Sequence, residues 1–210
     1  MNNRLALKEK LLYTLEQIKS QRLGKTDAPL TNVKLEEKLA REIEGLTTAL
    51  EALNPNLYPI LYALPLLNGA WQLEYSTARE IRSLAKLPYG LQVGKVYQVI
   101  DLATNSFFNQ AFVTHRLGLL SGYVRVTATF EVAKSDSSVL PDRRINVFFQ
   151  KRFLAIEQVA GFDTPQLNPF KVVDARNPTG RIPFLEITYL DESLRIGRGG
   201  EGSLFILTKA

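Results

Sequence analysis

Two arginines near the C-terminus have the residue type and spacing to bind a charged or aromatic group. Arg195 and Arg198 lie in a β-rich segment, residues 194–198, in which alternate side chains point to opposite faces. One arginine should therefore point into the space that the sheet encloses, where a guanidinium needs a carboxylate, a carbonyl or an aromatic ring. Asp191 and Trp71 are the candidate partners. The alternative is that both arginines are solvated charges at the rim.

Residues that commonly carry out catalysis are sparse. The chain has one histidine, His115, and no cysteine, and the sequence around His115 offers no recognisable metal ligand or acid–base partner. Asp191 and Glu192 are adjacent, so they are expected to cap a turn rather than share a proton. Residues 197–202 fit G-x-G-x-x-G, but a strand follows instead of the helix that a dinucleotide site needs. We expect no enzyme activity, no metal and no cofactor.

The net charge of the chain excludes few classes of binding partner. A net charge of +5 on 210 residues suits contact with an anionic membrane surface, and it equally serves solubility. Basic and aromatic residues at 143–153 alternate as they do in a strand, so nucleic-acid binding is not expected. The longest uncharged apolar run, residues 57–67, is shorter than the about 17–25 residues that a membrane-spanning helix needs. The early acidic residues Glu9 and Glu16 do not suit a targeting peptide.

The N-terminal third predicts two amphipathic helices. Apolar residues recur at helical spacing from Leu5 to Ile18 and from Val33 to Leu53, and Asn54 begins a break. The two apolar stripes are expected to pack on each other or on the rest of the chain, with a lipid interface as the alternative. Residues 57–67 predict either a plug across one end of a barrel or a membrane contact.

From residue 67 onward the pattern is that of strands. Trp71, Leu73 and Tyr75 alternate with polar residues, and the same alternation is clearest at 122–133. About eight such segments follow one another, which predicts a mainly β fold with an antiparallel up-and-down barrel. We interpret residues 78–91 as a short helical lid over the mouth of that barrel. Its interior either is filled by side chains or holds one small ligand, and the sequence leaves both open.

The expected organisation is therefore an α-helical pair followed by a lipocalin-like barrel. Residues 1–66 form the helical segment that packs on the barrel, and residues 67–210 form the barrel. Residues 163–181 contain three prolines and are predicted to be a long irregular loop.

The chain resembles the fibrillin family, the plastid lipid-associated proteins. Residues 189–207 resemble the C-terminal signature of that family, residues 68–77 its opening strand, and residues 143–149 more loosely its central strand. Gly69, Asp191 and Arg198 are the signature residues within these segments. The resemblance extends from about residue 67 to the end of the chain.

The resemblance implies a lipocalin-like fold and non-catalytic binding of apolar lipids, such as a prenyl-lipid, a carotenoid or a fatty acid. It also implies a role in photoprotection or in lipid storage and transport, at thylakoids or lipid globules. The expected location is a plastid, or the cytoplasmic face of the thylakoid in a cyanobacterium.

Five residues are predicted to form the lipid pocket. Trp71, Tyr75, Phe130 and Phe149 would line it, and Arg195 would either lock Trp71 in place or meet a ligand carboxylate. The alternative is a structural coat or scaffold, in which side chains fill the barrel and the outer face contacts lipid globules, thylakoids or a protein partner.

Overall fold

The computed structural model describes residues 3–21, 27–84, 87–133, 143–200 and 202–210. Residues 85 and 86 of the predicted lid lie outside these ranges.

Helices occupy the N-terminal third and one later position. The first two, which the apolar periodicity predicts, are separated by the two-residue strand β1 (Leu30–Thr31). The helices are α1 (Asn3–Ser20), α2 (Glu37–Glu51), α3 (Pro59–Tyr62), α4 (Leu64–Leu67) and α5 (Arg79–Leu84).

The strands form one large sheet that closes on itself. They are β2 (Gly69–Ser76), β3 (Leu91–Asp101), β4 (Ser106–His115), β5 (Leu120–Val132), β6 (Arg144–Val159), β7 (Phe162–Asp163), β8 (Lys171–Asp174), β9 (Phe184–Leu190), β10 (Leu194–Gly199) and β11 (Leu204–Lys209). Eight of them form a barrel-like antiparallel ring in the order β2-β3-β4-β5-β6-β9-β10-β11, closed by pairing of β11 with β2. The prediction of a mainly β, antiparallel, barrel-like fold behind N-terminal helices is confirmed.

Strand β6 is long enough to have different neighbours along its length. Its first residues pair with β9 over 144–146, and its second half pairs with β8 and β7. The prediction that residues 163–181 form a long irregular loop is therefore wrong in part, because β8 lies within this segment and adds to the sheet. Beyond the start of β6, Asn54 continues the pairing of β9: its side chain donates to Thr188 O (3.0 Å) and accepts from Leu190 N–H (3.1 Å).

Two clusters of buried apolar residues share the wall of the ring. We call the first the interior cluster; its members include Trp71, Leu73, Val96, Ala111, Ala128, Val147 and Leu207. We call the second the helix cluster; it joins α1 and α2 to the outer face of the wall through Leu11, Leu15, Ile43, Leu50, Leu194, Ile196 and Ile206. The helices thus pack on the ring, and strand β11 serves both clusters, with Ile206 in the helix cluster and Leu207 in the interior cluster.

The two ends of the ring are covered by different helices. Ile60, Ala63 and Leu67 of the α3–α4 segment are buried in the interior cluster at the end where β2 begins. This agrees with the plug interpretation of residues 57–67. At the other end, where β2 leads into α5, Ile81 and Leu84 pack against the same cluster.

Candidate functional site

Trp71 lies at the base of the ring, beside the α3–α4 plug. It is fully buried, and its indole N–H donates to Leu67 O at 2.9 Å. Because Leu67 is the last residue of α4, this bond satisfies a carbonyl at the end of the helix and fixes the plug to the start of β2.

Two cations lie against the ring of Trp71. The guanidinium carbon of Arg195 is 5.1 Å from the ring centroid and Lys209 Nζ is 4.4 Å from it, both within cation–π range. Lys209 also donates to Leu66 O (3.0 Å) and Asn68 O at the end of α4. Of the two arginines that the sequence singles out, Arg195 is therefore the one that points inward, and its predicted contact with Trp71 is present.

Arg195 begins a row of polar side chains across the interior. It is only 3% exposed, and its Nη2 donates to the side-chain oxygen of Gln98 on β3. Gln98 Nε2 in turn donates to Asn109 Oδ1 on β4 at 3.0 Å. The strand registers place Trp71 opposite Gln98 and Gln98 opposite Asn109, so these residues lie in one layer of the ring.

Positive charge at this layer is not balanced by a carboxylate. Within the described residues, neither Arg195 nor Lys209 forms an ion pair with Asp or Glu. Burial lowers the pKa of Arg195 to about 9, so the guanidinium stays protonated at neutral pH. Burial, and then the charge of Arg195, lower the pKa of Lys209 as well. The base of the interior is a cationic site.

Asp191 does not pair with either arginine, which corrects the expectation from sequence. Its carboxylate accepts from Lys8 Nζ on α1 (2.7 and 2.8 Å), from the Tyr189 hydroxyl (2.8 Å) and from Leu194 N–H (2.8 Å). Burial alone would raise the pKa of Asp191, but these hydrogen bonds outweigh burial and the pKa is lowered. Asp191 shapes the β9–β10 turn and holds α1 against it.

Arg198 lies on the outer face of β10 and links the ring to α2. Its guanidinium donates to both carboxylate oxygens of Glu51 (2.8 and 2.9 Å) and to Glu44 (2.7 Å). The hydrogen bond to Glu51 is the main cause that raises the pKa of Arg198, so this side chain is cationic throughout the accessible pH range.

The other predicted pocket residues are not all brought together. Phe130 and Phe149 are partly buried against the interior cluster, and the rings of Phe107 and Phe130 are 6.4 Å apart. Tyr75, in contrast, belongs to the helix cluster. The pairing of β2 with β11 shifts register between Ile206 and Leu207, and this bulge turns Tyr75 away from the face that carries Trp71.

Gly69, the remaining signature residue, has a φ of +97°, which a residue with a Cβ adopts only under strain.

Sequence reasoning missed Gln98 and Asn109 as residues of the site. The strand period of two could have found them. Gln98 is two residues from Ile100, and Asn109 is two residues from Phe107, so both side chains share the inner face with these apolar residues.

A concavity lies outside the ring, between α1 and the paired strands β2 and β11. Its volume is about 270 Å³. Three of its lining side chains are paired with one another or with a neighbour, since Glu74 accepts from Lys19, from the Thr208 hydroxyl (2.7 Å) and from Gln72 (3.1 Å). Its one lining cation, Lys19, pairs with the carboxylate of Glu74, whereas Arg195 has no carboxylate partner among the described residues.

Neither metal ligation nor membrane spanning is indicated in the described ranges. Three or more His, Cys, Asp or Glu side chains do not come together there as a metal site requires. No helix among those residues is both long and apolar enough to cross a membrane.

The fold and site define a barrel-like β protein with an apolar interior, a cationic base and helices on its outer wall. The PAP_fibrillin family model matches residues 7–208. The chain belongs to this family, the fibrillins or plastid lipid-associated proteins, as its two end motifs predict.

Three relatives of the chain carry chloroplast or chromoplast names. The chain is 32% identical over 200 residues to the "Light-induced protein, chloroplastic" of Solanum tuberosum (80% of this chain, 59% of that protein). It is 33% identical over 157 residues to "Plastid-lipid-associated protein 6, chloroplastic" of Arabidopsis thaliana (69% and 53%). It is 32% identical over 200 residues to the "Chromoplast-specific carotenoid-associated protein" of Cucumis sativus (80% and 60%). The chain thus spans a little over half the length of these relatives, and no solved structure matches it significantly.

Proposed function

We propose that this protein is a non-catalytic, lipid-associated protein of plastids that holds one apolar lipid inside its ring. The observation that carries the proposal is partial exposure on the inner face of the strands. Val124, Val126, Phe130 and Phe149 lie on that face and are each partly exposed. An inward side chain that is partly exposed borders space that solvent can reach. The small residue Ala128 lies on the same face, opposite Phe149.

The names of the relatives support the class of ligand. One relative is called lipid-associated and another carotenoid-associated, and both names carry a plastid location. A prenyl-lipid, a carotenoid or a fatty acid fits an interior with apolar walls and few polar groups. A role in photoprotection or in lipid storage and transport would follow from the identity of the bound lipid.

The test uses the only tryptophan of the chain as a reporter. Trp71 lies at the base of the ring, so a polyene lipid bound inside should accept excitation energy from it. We expect titration with cis-parinaric acid methyl ester to quench Trp71 emission saturably, with one molecule bound per chain. Absence of saturable quenching with this ester and with the free acid would overturn the carrier function.

A matched pair of variants locates the ligand. Ala128→Leu adds volume to the inner face of β5, whereas Thr129→Leu adds the same side chain to the outer face of the next position. We expect Ala128→Leu to weaken ester binding and Thr129→Leu to leave it unchanged, with the melting temperature of each variant measured alongside. Equal binding by both variants would place the lipid outside the ring.

A second candidate function is a coat on a lipid surface, and exposed apolar turns favour it. Tyr89, Leu117 and Phe162 are 89%, 71% and 76% exposed. Their turns adjoin at the α5 end of the ring, because Arg116 N–H donates to Gly90 O (3.0 Å) and Ala160 N–H donates to Leu119 O (2.9 Å). Apolar side chains presented on neighbouring turns insert readily into a lipid interface.

Flotation with lipid droplets that have a phospholipid monolayer tests the coat function. We expect Leu117→Ser combined with Phe162→Ser to reduce the floated fraction. The comparison is Leu57→Ser combined with Tyr62→Ser, which removes exposed apolar side chains from the plug end of the molecule. A larger loss with the plug-end pair would assign the lipid contact to residues 57–67, and no loss with either pair would remove the coat function.

A further inference from the structure

We propose that Arg195, Gln98 and Asn109 form a headgroup site that binds the carboxylate of a long-chain fatty acid. In this arrangement the carboxylate lies at the base of the ring and the hydrocarbon tail extends along the inner face toward α5. The inference rests on the proposed function, because it names the ligand class and the orientation for the same interior.

The charge balance of the interior calls for an anion. Arg195 is nearly completely buried, and its contacts are the ring of Trp71 and the neutral side chain of Gln98. Lys209 adds a second positive charge at the same tryptophan. A guanidinium removed from water without a carboxylate is strongly unfavourable, and the carboxylate of a ligand would supply the missing charge.

Hydrogen-bond donors at this layer have spare capacity. Arg195 uses Nη2 for Gln98, and its Nε and Nη1 have no acceptor within the part of the chain that the structure describes. Asn109 accepts from Gln98 through Oδ1, which leaves its amide N–H groups without an acceptor among the same residues. A planar guanidinium with free N–H groups beside an amide donor matches the two oxygens of a carboxylate.

Apolar walls continue from this layer to the far end. Going from the layer of Gln98 toward α5, the inward residues include Leu73, Val96 and Ala111, and Ile81 of α5 packs on the same cluster. A carboxylate at the base therefore directs its hydrocarbon chain along apolar surface and away from the plug. A ligand in the reverse orientation would leave Arg195 without an anion.

The decisive variant is Gln98→Glu, because it places a carboxylate beside Arg195 within the protein itself. The change is nearly isosteric and keeps Arg195 and Trp71 in place. We expect the Kd for cis-parinaric acid to rise by about tenfold or more, since the guanidinium is then already paired. The Kd for the methyl ester of the same acid should stay within about twofold, because the ester carries no charge.

Gln92→Glu is the matched control. Gln92 is an exposed residue of the same strand, so this variant adds the same charge outside the ring. We expect Gln92→Glu to bind both probes as the unmodified protein does. A fall in acid binding equal to that of Gln98→Glu would overturn the headgroup site, because it would reflect net charge alone.

Outcomes for the unmodified protein separate the two proposals. Tighter binding of the acid than of the ester supports the headgroup site, whereas equal binding of both overturns it and leaves the proposed function standing. Saturable binding of neither probe overturns both. If Gln98→Glu does not fold, Asn109→Ala is tested instead, and we expect it to lose binding of the acid while it retains binding of the ester. An Asn109→Ala variant that binds each probe with the same Kd as the unmodified protein would refute the site.

Discussion

At the scale of single residues, two glycines have opposite structural environments. A Cβ on Gly122 would lie 2.0 Å from Ala155 O and 3.0 Å from Ile156 Cα, both backbone atoms of the neighbouring strand. A Cβ on Gly45, in the exposed part of α2, would meet nothing within 4 Å. The first glycine permits close approach of β5 and β6, whereas the second only costs the helix conformational entropy.

We therefore expect Gly122→Ala to destabilise the protein by about 3 kcal/mol or more, because a backbone atom cannot rotate away from the clash. Gly45→Ala should stabilise it by about 0.5–1 kcal/mol. Urea denaturation of the two variants measures both values. Equal stability of Gly122→Ala and the unmodified protein would mean that β5 and β6 separate at this point.

Residue-level reasoning from sequence succeeds where strands are regular. Alternation along residues 194–198 predicts that Arg195 and Arg198 point to opposite faces, and they do. The same reasoning fails for Tyr75, because a bulge adds one residue to the count and strand periodicity carries no signal of it. The pairing of Arg195 with Gln98 also could not be predicted from local sequence, since the two residues are separated by 97 positions in the chain.

At the scale of elements, α1 is attached to the ring by ion pairs as well as by apolar packing. Lys8 pairs with Asp191 at the β9–β10 turn, and Lys19 pairs with Glu74 on β2. Amphipathic periodicity predicts the helix and its apolar stripe, but not which strands the helix contacts. The boundaries of β8 were missed for the same reason, because this strand is defined by its pairing with residues 151–154 of β6.

Asp191 gives this attachment a defined dependence on pH. The pKa of Asp191 is lowered in the folded protein from its ordinary value of 3.8, so the carboxylate stabilises the fold above about pH 4. That contribution is lost as the pH falls through the lowered pKa, because the folded state must then accept a proton. We expect Asp191→Asn to be less stable than the unmodified protein at pH 7 and the difference to shrink at pH 3. Guanidinium chloride denaturation at both values checks this, and a difference that is constant with pH would contradict it.

At the scale of the whole molecule, one wall of the ring belongs to two cores. Leu194 and Ile196 face the helices while Arg195 between them faces the interior, so the outer face of β10 is apolar and depends on α1 and α2 for cover. The interior cluster packs on the inner side of the wall and the helix cluster packs on its outer side. The helices thus give the wall a core that does not compete with the interior for side-chain volume.

We infer from this shared wall that residues 1–66 and 67–210 unfold together although they are distinct in sequence pattern. Ile43 of α2 is fully buried in the helix cluster, whereas Leu53, just beyond α2, is 40% exposed. We expect Ile43→Ala to lower the free energy of unfolding by about 2–4 kcal/mol and Leu53→Ala to change it by less than about 1 kcal/mol. Trp71 emission reports the ring and far-ultraviolet circular dichroism reports the helices, and in each variant the two transitions should coincide. Loss of helical signal at a urea concentration where Trp71 emission is unchanged would show instead that the ring folds without its helices.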